Sequence, residues 1–287
     1  MDIRVITMGL PMNPLTAFTL AFLLYITHGF YLSGFIRPFQ RRFGEIEGYW
    51  IAMSIFTVAF AVLITLLCPE LYFVSWSFPI DYFLLFLSLS FLAFIPTVFE
   101  LRKPESPEIS DEGVNLVKSM GFKDVALLQV ISAALPEELV FRYVFLGLLS
   151  LWNPFASLIA LSIFFGIGHK FSHPNRNWNV LISNALIGFV LGLAYLYTKS
   201  LPVVMAIHWL DDMVPWAFIK YERVRGAIAG ATALLAVLPL VLLWDKLVSV
   251  IEYLRGIYSN EGLVLGSGIA IIMLGVVYLG LRLLKSR

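Results

Sequence analysis

Long apolar runs, repeated along almost the whole chain, limit what it can fold into. The 287 residues are 60% hydrophobic and only 14% charged, whereas soluble proteins carry about 25% charged residues. A helix needs about 20 apolar residues to cross roughly 30 Å of hydrocarbon, and runs of this length recur throughout the sequence. The sequence therefore predicts an all-α, polytopic membrane protein, with residues 1–287 forming a single integral membrane domain.

Eight to nine segments are long enough to be transmembrane helices. They are 15–36, 49–68, 82–99, 125–151, 155–169, 179–198, 201–219, 227–244 and 263–281. The fifth is short, and a re-entrant segment is the alternative for it. With nine spans, most lysine and arginine residues fall on one side, as the positive-inside rule requires for the cytoplasm. This topology places the N-terminus outside and the C-terminus in the cytoplasm.

The loops and the composition add further constraints. The first run follows Asp2 and Arg4 without a small-residue cleavage site, which predicts a retained anchor. The longest cytoplasmic loop, 100–123, is polar, and a short interfacial helix is expected within it from Ser110 onwards. The net charge of +1 gives no signature of nucleic-acid binding. The single cysteine, Cys68, excludes an intramolecular disulfide and a multi-cysteine metal site.

Ionisable side chains inside the apolar segments are few, and they mark the candidate functional part of the chain. A charge at membrane depth is costly, so such residues are expected to serve a function. They are Glu137, Glu138 and Arg142 in the fourth segment, His169 at the end of the fifth, and His208, Asp211 and Asp212 in the seventh. His28 in the first segment stands apart from them. We interpret it as a hydrogen-bonded packing residue.

Spacing within the stretch LPEELVFR separates the roles of its two glutamates. In an α-helix Glu138 and Arg142 are four residues apart and share one face, so the arginine can neutralise this carboxylate. Glu137 is turned away from Arg142 by about 140° and lies beside the kink expected at Pro136. Glu137 is therefore available for acid–base chemistry. An ion pair between helices without catalysis is the alternative.

Two histidines and an aspartate complete the candidate site. His208 and Asp212 are four residues apart and share one face of the seventh helix, whereas Asp211 is expected to face another helix. From the rise per residue of a helix, Glu137 and Asp212 are expected to lie at depths where both can line one chamber that opens to the cytoplasm. His169 is expected at the cytoplasmic end of its helix. A carboxylate, two imidazoles and a second acid suit water activation and oxyanion stabilisation.

Three short motifs occur here in the order found in one known family. They are EELVFR (EExxxR, Glu137 to Arg142), FGIGH (FxxxH, Phe165 to His169) and HWLDD (HxxxD, His208 to Asp212). The chain resembles the CAAX protease and bacteriocin-processing family, also called the Abi family. Its best-known members are the Ras-converting enzymes, or type II CAAX prenyl proteases. The resemblance covers residues 126–219, which are expected to form the catalytic core.

The resemblance implies a glutamate-type intramembrane endopeptidase that removes the last three residues of a prenylated CaaX protein. By motif, Glu137 and His169 would activate the attacking water, and His208 and Asp212 would form the oxyanion hole. Glu138 and Arg142 would support the site structurally, and no cofactor is implied. The implied partners are a prenylated CaaX protein or peptide and membrane lipid. The implied location is the plasma membrane of a prokaryote or the endoplasmic reticulum of a eukaryote, with the active site open to the cytoplasm.

The third motif departs from the best-studied members, in which asparagine often stands at its last position. An ionised Asp212 would repel an oxyanion. This residue is therefore expected to be protonated, turned away from the site, or engaged in orienting His208.

Other functions fit parts of the same pattern. A zinc-dependent intramembrane protease would use the same histidines and carboxylates, although HExxH is absent and the histidines come from different helices. A proton-coupled transporter would use a Glu–His–Asp relay, but inverted repeats are absent. A non-enzymatic immunity protein is a further alternative. A serine protease built on Ser267 lacks a histidine near it in sequence, and the membrane aspartates are adjacent rather than on two helices, which excludes an aspartyl protease.

Overall fold

The computed structural model is a helical bundle, and it describes residues 12–28, 32–72, 75–95, 97, 118–172 and 174–285. The helices are α1 (Pro14–Ile26), α2 (Ser33–Phe43), α3 (Glu45–Leu67), α4 (Ile80–Ala93), α5 (122–150), α6 (Pro154–Ser172), α7 (Trp178–Thr198), α8 (Leu201–Lys220), α9 (Arg225–Leu242), α10 (Trp244–Ile257) and α11 (Asn260–Lys285). These ranges contain no β-strand, so the all-α prediction is confirmed for them. The expected retained anchor is the run 15–36, and the polar residues before it, Asp2 and Arg4, lie outside the described residues. The start of the expected interfacial helix, Ser110, also lies outside them.

Among the described residues, five helices are long and apolar enough to cross a membrane. They are Glu45–Leu67, Pro154–Phe171, Trp178–Thr198, Glu222–Leu242 and Asn260–Arg282. They correspond to the second, fifth, sixth, eighth and ninth predicted segments, and the fifth is one continuous helix. Helices α1 and α4 are apolar but have only 13 and 14 residues. The count of eight to nine spans stays a prediction.

The first predicted span, 15–36, is wrong at its C-terminal end, because α1 stops at Ile26 and α2 is a separate helix. Two side chains bond back to the last turn of α1. Thr27 Oγ1 donates to the carbonyl four residues before it at 2.6 Å, and His28 Nδ1 donates to the carbonyl of Tyr25. These bonds give the carbonyl groups at the end of α1 hydrogen-bond partners.

Helix α2 and helix α3 form a hairpin beside α1. Gly44 joins them with a φ of +96°, a conformation that side chains other than glycine rarely adopt. Gly48 allows the two backbones to touch, since a Cβ there would lie 2.4 Å from the carbonyl oxygen of Phe39. The hairpin places the start of α3, with Tyr49 and Trp50, next to the end of α1.

Helix α6 packs closely against α7 and α11 through small residues. A Cβ at Gly166 of α6 would lie 2.5 Å from the Cβ of Ala185 in α7. A Cβ at Gly266 of α11 would lie 2.5 Å from the carbonyl oxygen of Ala156 in α6. Only glycine fits at these two positions, and close backbone packing of this kind is typical of membrane helices. Helix α6 is thus held between two neighbours, and His169 lies near its C-terminal end.

Buried polar side chains hold α8 beside α4 and α5. Ser90 of α4 donates to Asp211 Oδ2 of α8 at 2.5 Å, so Asp211 does face another helix. Trp209 Nε1 of α8 donates to the carbonyl oxygen of Ala126 in α5 at 3.0 Å. Within hydrocarbon no water is available to satisfy these groups, so the bonds between helices fix the position of α8.

Candidate active site

Helix α5 carries the first motif and is not a regular α-helix. It contains the α-helical turns Phe122–Gln129, Leu135–Glu137 and Gly147–Ser150 and the π-helical segments Val130–Ala134 and Glu138–Leu146. The predicted segment 125–151 is therefore helical up to Ser150, partly in the π-helical form. The kink expected at Pro136 takes the form of π-helical segments on both sides of it. Such segments are rare and frequently lie at functional sites.

Pro136 leaves a carbonyl group without a helical donor, and α3 supplies one. The N–H of Leu135 bonds to the carbonyl five residues before it. In the same pattern the carbonyl of Ile131 would pair with residue 136, but proline has no N–H. Ser54 Oγ of α3 donates to the carbonyl oxygen of Ile131 at 2.7 Å instead. This bond holds the turn that directly precedes Glu137.

Glu138 is fully buried and connects the three motifs. Its Oε1 lies 3.0 Å from Nη1 of Arg142 and 2.6 Å from Nδ1 of His208. Because a carboxylate only accepts hydrogen bonds, His208 donates from Nδ1 and presents Nε2 elsewhere. The guanidinium carbon of Arg142 lies 4.5 Å from the ring centroid of Phe165, the first residue of the second motif. Spacing predicts the contact with Arg142 but not the one with His208.

His208 Nε2 lies between two carboxyl groups. It is 3.9 Å from Glu137 Oε2 and 3.7 Å from Asp212 Oδ2. The side chains of Glu137 and Asp212 are 29% and 33% exposed, whereas that of His208 is 8% exposed. These distances are longer than a direct hydrogen bond. An oxygen atom of water or substrate that contacts Nε2 would therefore also lie near both carboxyl groups.

A cavity of about 640 Å³ adjoins this cluster and has both Glu137 and His169 on its wall. Residues of α1, α3, α5, α6 and α11 line it, most of them apolar. Its volume is within the range of ligand sites, roughly 300–1,000 Å³. His169 Nδ1 donates to the carbonyl oxygen of Phe165 at 2.5 Å, so Nε2 of the neutral ring carries the lone pair. Two groups that can accept a proton therefore share one cavity.

The predicted site residues take three kinds of position. Glu137 and His169 line the cavity, and His208 and Asp212 lie beside Glu137 without belonging to the lining. Glu138 and Arg142 are buried, and Glu138 bonds to His208. In the part of the chain that the structure describes, no group of three or more His, Cys, Asp or Glu side chains could hold a metal ion.

His28 also lies on the cavity wall, a position that the sequence did not predict. Its hydrogen bond to the Tyr25 carbonyl agrees with the interpretation as a packing residue, but both side chains also line the cavity with Glu137. The position of His28 on the cavity wall depends on where α1 ends, which the prediction of one span over 15–36 did not include. A histidine within an apolar segment, as His169 is, was the available signal.

Residues 123–214, which carry all three motifs, match the model of the family described as type II CAAX prenyl endopeptidase, Rce1-like. The matched family is one of CAAX-type endopeptidases, and the apolar helices indicate an integral membrane protein. The resemblance to the type II CAAX prenyl protease family is thereby confirmed over these residues.

One curated relative is similar to part of the chain. Over 92 residues the chain is 36% identical to the uncharacterized protein YpbD of Bacillus subtilis (strain 168). The aligned segment is 32% of this chain and 44% of YpbD, so the chain matches less than half the length of this relative, whose name states no activity. No solved structure is significantly similar to the chain.

Proposed function

We propose that the protein is a glutamate-type intramembrane endopeptidase that removes the C-terminal tripeptide of prenylated CaaX substrates. The main support is that Glu137 and His169, which lie on two different helices, line the same cavity. Both residues belong to the segment that matches the family. The same proposal includes a nine-span topology in which this cavity opens to the cytoplasm, with the prenyl group and membrane lipid as neighbours.

Glu137 and His169 activate the attacking water. His169 keeps its Nδ1 proton on the Phe165 carbonyl, so Nε2 accepts one hydrogen of the water. Glu137 accepts the other and takes the proton as the water oxygen bonds to the scissile carbonyl carbon. The bond from Ser54 to the preceding turn keeps the backbone of Glu137 in place during this step.

His208 stabilises the oxyanion that results. Since its Nδ1 proton is bonded to Glu138, the ring donates from Nε2 only as an imidazolium, and the Glu138 carboxylate at 2.6 Å stabilises that charge. When the tetrahedral intermediate collapses, the C–N bond breaks and the proton held by Glu137 passes to the leaving amine. The products are a tripeptide with a free amine and a protein chain that ends in a new carboxylate. Glu138 therefore supports the site by direct contact with His208.

A cleavage assay tests this function. Purified protein in liposomes is expected to release the C-terminal tripeptide from a farnesylated CaaX peptide and to remain active with a metal chelator. The same peptide without the farnesyl group is the matched control and is expected to be a poor substrate. Activity that a chelator abolishes and Zn²⁺ restores would show the zinc alternative. Proton flux across the liposome membrane without any cleavage would show the transporter alternative.

Substitutions at Asp212 test its part in the oxyanion site. The Oδ2 atom lies 3.7 Å from His208 Nε2, close enough to share one ligand oxygen with it. If Asp212 acts as a hydrogen-bond donor, Asp212→Asn retains activity because the amide also donates. Asp212→Ala then loses about a hundredfold or more in kcat, as the removal of one oxyanion donor does. An asparagine variant as inactive as the alanine variant would show that Asp212 works as a carboxylate that orients His208.

A further inference from the structure

Part of the cavity wall belongs to α1 and α3, outside the segment that matches the family. On it lie His28 and Tyr25 at the end of α1, and Tyr49 and Trp50 at the start of α3. None of these residues has a part in the water activation or oxyanion steps. His28 is the ionisable group among them that can carry a positive charge near neutral pH.

The ring of His28 is held in one orientation by its neighbours. Its Nδ1 donates to the carbonyl of Tyr25, and its ring stacks on Phe56 of α3 with centroids 5.8 Å apart. The Tyr25 ring lies 5.3 Å from it on another side. With Nδ1 engaged, Nε2 is the ring nitrogen that remains for a ligand.

The proposed reaction requires a partner for a negative charge in this cavity. The departing tripeptide ends in a carboxylate, and a buried carboxylate without a partner is strongly unfavourable. Three extended residues reach about 10 Å, so this carboxylate lies well away from the catalytic pair. The described lining contains no lysine or arginine, and its two histidines are His28 and His169. His169 is occupied with the attacking water.

We infer that His28 binds the C-terminal carboxylate of the substrate through Nε2 and so measures the distance from the chain end to the cleaved bond. The hydroxyl of Tyr49 and the indole N–H of Trp50 are further donors on the same wall. This inference rests on the proposed endopeptidase function. The inference adds a requirement to that function: a substrate must end in a free carboxylate three residues beyond the cleaved bond.

Two farnesylated peptides of one sequence, one ending in a free acid and one in a carboxamide, test the inference. The wild type is expected to have a KM at least about tenfold lower for the acid, the size of effect that a hydrogen bond to a charged group gives. His28→Ala is expected to lose this discrimination. His28→Gln, which keeps a donor, is expected to restore part of it. Val276→Ala, on the α11 side of the same cavity, is the control and is expected to keep the preference for the acid.

Binding measurements separate this inference from the proposed function. The Glu137→Gln protein is titrated with both peptides, and the acid is expected to bind at least about tenfold more tightly. Adding His28→Ala to this protein is expected to make the two affinities equal. Two outcomes would overturn the role of His28. One is that the Glu137→Gln protein binds both peptides equally, and the other is that its preference for the acid remains after His28→Ala is added. Failure of cleavage with the binding preference intact would overturn the proposed reaction instead.

Discussion

Glu137→Gln is expected to abolish cleavage of a farnesylated CaaX peptide, with kcat reduced by at least about a hundredfold, because a general base contributes that much or more. The glutamine side chain has nearly the same size and still fits the cavity wall. It does not accept the proton of the attacking water. Glu137 is partly exposed to the cavity, and its Oε2 lies 3.9 Å from His208 Nε2. The substitution removes only this long, partly exposed ion pair, so the thermal unfolding temperature in detergent is expected to change little.

The matched control is Glu252→Gln, which changes an exposed glutamate of α10 in the same way. It is expected to leave both activity and unfolding temperature close to those of the wild type. Activity in Glu137→Gln near that of the control would show that Glu137 is not the general base. A large drop in unfolding temperature would show that Glu137 holds the fold together rather than acting in catalysis.

Contacts within one helix could be predicted from the sequence because they depend on spacing alone. The pair Glu138 and Arg142 meets at 3.0 Å although the helix between them is π-helical. The four-residue spacing of His208 and Asp212 brings their side chains to 3.7 Å in α8. Residues four positions apart lie on one face of an α-helix and also of a π-helix. The predicted contact between Glu138 and Arg142 therefore forms although α5 is irregular.

Contacts between helices could not be predicted, because they depend on how the bundle packs. His208 and Glu138 form a hydrogen bond although they are 70 residues apart in the sequence. Ser54 and Ile131 are 77 residues apart. The π-helical turn before Pro136 has its free carbonyl paired with this serine on another helix. The position of His28 on the cavity wall depends on where α1 ends. Hydropathy does not show that end, because the apolar run continues beyond Ile26.

Glu138→Gln is expected to destabilise the protein by about 3–5 kcal/mol, the cost of leaving a buried charge without its partner. Glu138 is fully buried, and its Oε1 serves both Arg142 and His208, so neutralising it leaves the 3%-exposed Arg142 without a counter-charge. Arg142→Met is expected to cost less, because the protonated ring of His208 still balances Glu138. Thermal unfolding of both variants in one detergent measures the order. If Arg142→Met is the less stable of the two, His208 does not share the charge of Glu138, and the imidazolium required for oxyanion stabilisation is not supported.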